Sequence, residues 1–416
     1  MPSTWLPAPK SILNTELLQK MVFHAIITKN YTCLEEKNMQ KRNYFLKFLS
    51  TFILAVLIAS FSSSLAKADS SFTVCNLNMV LQDDPSTSIF FSWRTAPVSS
   101  SSTPQLETAI IYCESSQELD AATAQKLVAS SQVSSRTAYY KASLTGLKPG
   151  TTYTYAIMDT GSGQITSANS FTTAPSSDSS FSFLCLPDSN YRTTSSYQNN
   201  WGGTLDAALS KFPDTSFVMH TGNYGSSTTQ TYWDGFFGLN TSKLSNIPFV
   251  PLPVSSGSSN QQFTYNFNLP STSNNTANYS FVYGDALVLA LNTNLTSTSN
   301  ITAHATWIKN EVAEKGDGKW IIVAMGNSFY GRSSNTSTIK RTLEKTFDEV
   351  NVSLVLQGSD SVYARSHLVK NATILDDYPS DHLFATKDGV IYLVPGSAGA
   401  EYNQVSSSAG WVKVTK

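Results

Sequence analysis

From about residue 72 to 174 the hydrophobic positions come in short runs with no helical spacing between most of them. Ser88-Ile-Phe-Phe-Ser-Trp93 and Thr108-Ala-Ile-Ile-Tyr112 read as apolar-rich strands. Pro149-Gly150 sets a turn, because Pro fixes one backbone angle and Gly accepts positive φ. After it Tyr153 and Tyr155 alternate with Thr, as in a half-buried strand, and Ser170-Phe-Thr-Thr173 closes the run. Strands at this spacing predict a β-sandwich of about 100 residues. Past a short polar linker, Ala174 to Ser180, the pattern changes. Buried-looking strands (Phe181–Leu186, Ser216–Thr221, Phe281–Tyr283, Ala286–Leu291, Trp320–Ala324, Val352–Leu356, Val390–Val394) alternate with helical segments at Leu205–Leu209, Trp307–Ala313 and Ile339–Phe347. That alternation predicts an α/β domain. Ser271–Asn278 reads as a surface loop.

The N-terminus has another character. Lys41, Arg42 and Lys47 precede an apolar run, Phe48 to Phe61, and Ala66-Lys67-Ala68 has the small-x-small form cut by signal peptidase. The run is shorter than the about 20 residues a membrane span needs. Residues 39–68 are therefore expected to be a secretory signal peptide cleaved after Ala68, with Met39 as the true start and 1–38 an over-long extension. The mature chain is expected to be secreted or held at the cell surface, without a membrane span. Export permits a disulfide, and Cys75 and Cys113 are the one pair that would share a domain; the alternative is that these two and Cys185 are thiols packed as small apolar residues. Within the expected mature chain eight Asn-x-Ser/Thr sequons, at Asn240, Asn274, Asn278, Asn294, Asn300, Asn335, Asn351 and Asn371, matter only in a host that glycosylates them.

Charge narrows the partners. With 28 basic and 29 acidic side chains the net charge is −1 and no basic run stands out, which argues against nucleic acid as a partner.

The Leu144-to-Tyr155 stretch resembles a fibronectin type III module. Phe212-Pro-Asp-Thr-Ser-Phe-Val-Met-His-Thr-Gly-Asn223, Trp233-Asp-Gly-Phe-Phe237, Asn278 to Thr293, Trp320 to Tyr330, Val352 to Ser366 and Ile391 to Gly399 resemble, in order and spacing, the metallophosphoesterase domain of the purple acid phosphatases. The resemblance implies two domains: an all-β fibronectin III-like sandwich at 69–175, then at 180–416 an α/β metallophosphoesterase-like ββ sandwich flanked by helices. It also implies a dinuclear Fe, Zn or Mn centre, whose close cations need anionic and imidazole ligands.

The ligands are nearly all replaced. Asp188 keeps the first motif's carboxylate, the bridging Asp falls at Asn223, and the Tyr three residues on falls at Ser226. The Gly-Asn-His motif reads Gly257-Ser258-Ser259, a ligand His falls at Gly326, and Gly-His-x-His reads Gly358-Ser359-Asp360-Ser361. Of seven ligand positions (188, 223, 226, 258, 326, 359, 361), six are thus substituted. His220, His304, His367 and His382 fall at none of them, and His220, on an apolar strand, reads as a core histidine with a hydrogen bond.

The expectation is a secreted, catalytically inactive homologue, a pseudophosphatase serving as a binding or surface module, with no cofactor. Asp188, Asn190, Asn223, Ser258, Ser259, Asn327, Ser359 and Ser361 would line a polar pocket suited to a glycan, and a surface protein is the other partner considered. Two alternatives stand beside it. One is an active metal-dependent acid phosphatase or phosphoesterase with an altered site, in which Asp188 and Asp360 hold one Ca²⁺ or Mg²⁺. The other is an adhesion or docking protein acting through the fibronectin-like domain.

Overall fold

In the computed structural model the described residues are 72–81, 83–95, 106–176, 179–189, 194–224, 229–253, 258–269, 278–332, 337–358, 360–375, 389–399, 402–405 and 409–415. Residues 39–68, expected to be a signal peptide, and the expected extension 1–38 lie outside them.

The first eight strands are β1 (Val74–Val80), β2 (Ile89–Thr95), β3 (Thr108–Glu114), β4 (Gln125–Val128), β5 (Ser130–Ser134), β6 (Thr137–Leu144), β7 (Thr152–Asp159) and β8 (Asn169–Thr172). They form a sandwich. A sheet ordered β4-β3-β7-β8 packs on β5-β6-β2-β1, with Phe91 of one layer 4.8 Å from Tyr155 and 5.6 Å from Phe171 of the other, between ring centroids. Gly150 turns the chain at φ +59°, and the Tyr153 hydroxyl folds back to accept from Lys148 N at 2.9 Å. Cys75, Cys113 and Cys185 are free thiols, so the Cys75–Cys113 bridge is not formed.

The chain continues as β9 (Ser182–Cys185), α1 (Thr194–Lys211), β10 (Thr215–His220), α2 (Gln230–Phe237), α3 (Thr241–Leu244), β11 (Phe249–Pro251), α4 (Ser258–Asn266), β12 (Tyr279–Tyr283), β13 (Ala286–Leu291), α5 (Thr298–Lys315), β14 (Trp320–Met325), α6 (Thr338–Glu349), β15 (Leu354–Gln357), β16 (Tyr363–Ser366), β17 (Leu368–Lys370), β18 (Thr373–Leu375), β19 (Ile391–Pro395) and β20 (Val412–Thr415). Four layers result, because strand side chains alternate between faces. In β13, Val288 and Ala290 point into the space between the two large sheets, while Leu287, Leu289 and Leu291 pack with Ile301 and Ile308 of α5 and Leu343 and Phe347 of α6. On the far side Trp201 and Leu205 of α1, Trp233, Phe236 and Phe237 of α2, and Phe263 of α4 cover Val218 and Phe249. Strands covered on both faces read as continuous apolar runs, as Ala286–Leu291 does.

One large sheet runs β12-β13-β14-β15-β19-β16-β20; the other runs β5-β6-β2-β1-β11-β10-β9. The second crosses from the sandwich into the α/β part: β1 pairs in parallel with β11 at Val80 and Phe249, and Leu81 N donates to Phe249 O at 3.3 Å. One core follows it, holding Phe91, Trp93 and Tyr155 together with Phe217, Met219 and Phe281. Arg94 on β2 reaches Asp234 on α2 at 2.6 Å. The Tyr155 hydroxyl donates to Ser245 O at 2.6 Å.

Candidate functional site

Parallel strands β9, β10 and β11 in one sheet and β13, β14, β15 and β19 in the other send the loops after their C-terminal ends to a common rim. Ligands of open α/β sheets commonly bind at such ends. Asp188 sits two residues past Leu186, where β9 has ended, and Asn223 three past His220 at the end of β10. Both adopt positive φ, 49° and 59°, a conformation that Asn and Asp tolerate better than most residues.

Asp188 is 2% exposed. Its Oδ1 accepts from Asn223 Nδ2 at 2.5 Å, and its Oδ2 accepts from the Ser361 hydroxyl, in the loop after β15. Its own N–H donates to Gly222 O at 3.2 Å. Its carbonyl accepts from Ser397 Oγ, after β19, at 2.9 Å, and Ala398 N donates to Pro187 O at 2.8 Å. One carboxylate residue thus ties four loops from both sheets.

The rest of the rim is held by amides and hydroxyls. Asn327 N donates to Thr293 Oγ1 at 3.2 Å, and its side-chain amide to Thr293 O at 3.1 Å. Asn327 therefore joins the loops after β13 and β14. Gln357 Oε1 accepts from Phe329 N at 2.6 Å and Tyr330 N at 3.1 Å, and Gln357 Nε2 donates to Tyr330 O at 3.0 Å. Gly358 lies against the β10 loop so closely that a Cβ there would come within 2.0 Å of Thr221 O. Gly326 faces the same loop with room, its nearest contact to an added Cβ being Thr221 O at 3.7 Å.

His220 is the buried histidine the sequence implies, 0% exposed. Gly222 N donates to its Nδ1 at 3.2 Å, so the ring proton is on Nε2, which donates to Ser189 Oγ at 2.9 Å. Tyr224 stacks on the ring at 4.1 Å, and burial drives its pKa down to about 3. Asp360 is half-buried rather than exposed, and burial raises its pKa. Its Oδ2 accepts from Arg332 N at 2.5 Å, so its carboxylate serves the loop after β14.

Of the sequence-predicted positions, Asp188, Asn223 and Ser361 come together, Asn327 and Gly326 lie on the same rim, and Asp360 turns to the neighbouring loop. Asn190, Ser226 and Ser359 lie outside the described residues, as do the side chains of Ser258 and Ser259 at the start of α4. Ser397, Ser189 and Gln357 were not singled out from the sequence. Their only signal is position: each flanks a glycine-bearing or ligand-type segment, and a serine or glutamine there carries no motif of its own.

Residues 74–173 match the family model of the purple acid phosphatase N-terminal domain. The chain is similar in structure to the purple acid phosphatase PPD1 from yellow lupin (Lupinus luteus) seeds, at 14% identity and a TM-score of 0.66 over 83% of this chain and 68% of that one. This is a purple-acid-phosphatase-like fold. A structure of PhoD is similar too, at 13% identity and a TM-score of 0.52, covering 79% of this chain and 78% of that one. No curated protein sequence matches significantly.

The purple-acid-phosphatase-like fold implies a dinuclear metal centre, and the residues present do not fit one. Two adjacent cations require several anionic ligands to offset their charge. Among the described residues of the rim the one fully buried carboxylate, Asp188, has each oxygen engaged by a neutral donor, Asn223 and Ser361. Gly326 offers no side chain, and His220 spends both ring nitrogens on Ser189 and Gly222. Among the described residues no group of three or more His, Cys, Asp and Glu side chains is placed to hold an ion.

Proposed function

We propose that this chain is an exported pseudophosphatase, a non-catalytic variant of the purple-acid-phosphatase-like fold that acts as a binding or surface module. The observation that carries the reading is the closed set around Asp188: an amide and a hydroxyl hold its two oxygens where the fold's enzymes would need further charged ligands. A hydroxyl or amide donates to a carboxylate without offsetting the charge of a cation, so the set supports a neutral rim and not a metal-activated water. Such a rim suits an uncharged polar ligand, a glycan being the leading class. It disfavours a phosphate dianion, which Asp188 would repel.

The test is the metal content of residues 69–416 after incubation with iron, zinc and manganese and removal of the excess, alongside turnover of an aryl phosphate. The expected result is substoichiometric metal and no turnover above buffer. A full dinuclear complement with turnover would overturn the reading. Glycan-array binding by the same sample, lost in Asn223→Ala, would support the ligand class, and a blank array would remove it.

A further inference from the structure

Helix α6 buries an acid. Its inward face carries Ile339, Leu343 and Phe347, and between them Glu344 is 7% exposed. Tyr330, from the loop after β14, lies near Glu344 and favours its ionised form. Glu344 Oε1 has no partner at all among the described residues. Asp348, one turn further along α6, adds a like charge nearby, its own carboxylate accepting from Asn371 N at 2.8 Å. Lys340 is one turn earlier, at the spacing that lets an ammonium reach a carboxylate. It does not pair with Glu344. Its Nζ lies 3.9 Å from the centre of the Tyr330 ring and donates to Phe329 O at 3.1 Å. Tyr392 of β19 closes the pocket, 4.7 Å from Tyr330 between ring centroids. These are the titratable groups around Glu344: Tyr330 from the loop, Tyr392 from β19, and Lys340 and Asp348 from its own helix; Lys370 faces Asp348 from β17.

We propose that Glu344 is a proton-operated latch between α6 and the cleft loop at 326–332. Neutral, Glu344 sits in its pocket and leaves Lys340 free to clamp Phe329 and Tyr330. Ionised, it holds a buried charge with one bare oxygen and draws Lys340 off that clamp. The clamped residues are those that Gln357 grips. Gln357 leads through Gly358 to Ser361 on Asp188, so the latch is wired to the rim of the cleft.

Burial raises the Glu344 pKa, Asp348 adds to the rise, and Tyr330 and Lys340 oppose it. For an acid whose folded pKa is raised, the contribution to stability is full below its unfolded pKa, about 4.3, and is lost as pH rises through the folded value.

The experiment compares the parent chain with Glu344→Gln, an uncharged isostere, between pH 4 and 8. The melting temperature of the variant is expected to match the parent near pH 4 and to exceed it by a few degrees at neutral pH. Amides of 326–332 are expected to gain protection in the variant at neutral pH only. A separate ¹³C titration of the Glu344 carboxyl in the parent should give a midpoint above the ordinary carboxylate range. A difference that does not change with pH, a variant less stable than the parent at neutral pH, or a normal carboxyl midpoint would each overturn the latch. So would failure of Glu344→Gln to fold, since the neutral side chain is the one the pocket is argued to accept.

Discussion

Two glycines at strand ends separate packing from chemistry at the residue scale. Gly358 abuts the backbone of Thr221, so a methyl group there would meet the Thr221 carbonyl oxygen at 2.0 Å and force the β10 and β15 loops apart. Gly358→Ala is expected to cost about 3 kcal/mol of stability, the upper range for overpacking. Gly326→Ala meets nothing nearer than 3.7 Å and is expected to stay within about 1 kcal/mol of the parent. Chemical denaturation of the two variants side by side checks both. His220 gives a pH expectation of the opposite sign to Glu344. Its folded pKa, about 3, lies below the ordinary value of about 6.5. Its contribution is therefore full above the ordinary value and lost as pH falls towards the folded one. The ring proton shifts of His220 should stay constant from pH 5 to 8, and a midpoint near 6.5 would contradict the buried neutral ring. Because the two residues pull stability in opposite directions, the Glu344 comparison has to be made variant against parent. Asp188 was legible from sequence because a lone surviving carboxylate stands out where its partners are neutral. The use made of it was not: a carboxylate alone does not tell whether its oxygens face solvent, an ion or the hydroxyl of Ser361.

Among elements, those that could be read were the ones whose side chains face a core on both sides or alternate cleanly. Ala286–Leu291 and Trp320–Met325 were plain for that reason. The edge strand β5, Ser-Ser-Gln-Val-Ser, is almost wholly exposed and has no apolar face to announce it. Helix α4, Ser-Ser-Asn-Gln-Gln-Phe-Thr-Tyr-Asn, is polar because it covers a polar strand face. There Asn266 O accepts from Asn78 Nδ2 at 3.0 Å and Ser92 Oγ at 2.7 Å. The same face holds Asp234 of α2, whose Oδ1 accepts from Arg94 Nη2 at 2.6 Å, Gln230 Nε2 at 2.9 Å and Asn76 Nδ2 at 3.1 Å. Removing the acceptor strands a guanidinium that is only 13% exposed. Asp234→Ala is expected to cost about 2 kcal/mol, less than for a fully buried pair because Asp234 itself is partly solvated. Arg94→Met combined with Asp234→Ala should recover part of that loss. A double variant as unstable as the sum of the singles would mean that the pair is not the link between sandwich and helix.

For the whole molecule, the sequence reads as a sandwich, a linker and an α/β unit, and nothing local in it encodes the join between β1 and β11. Parallel partners far apart in the chain are matched only by the completed fold. The join matters because the sheet β5-β6-β2-β1-β11-β10-β9 is built of four sandwich strands and three α/β strands. Cutting at the linker would bare the β11 edge and open a core shared by Phe91 and Trp93 on one side and Phe217, Met219 and Phe281 on the other. It would also strip Arg94 and Asn76 from Asp234, and Asp83 from Lys315. Residues 176–416 alone are therefore expected to be expanded and poorly protected from amide exchange, and 69–416 to unfold in one transition seen alike by tryptophan fluorescence and far-ultraviolet circular dichroism. The outcome also bears on which part of the molecule can meet a partner. If 176–416 folded with native protection and the intact chain showed two transitions, the sandwich would be a separable module, and a docking role confined to it would gain ground. If the pieces fail apart and succeed together, the sandwich is a wall of the α/β unit, and any ligand of the cleft is held by loops whose helices the sandwich fixes in place.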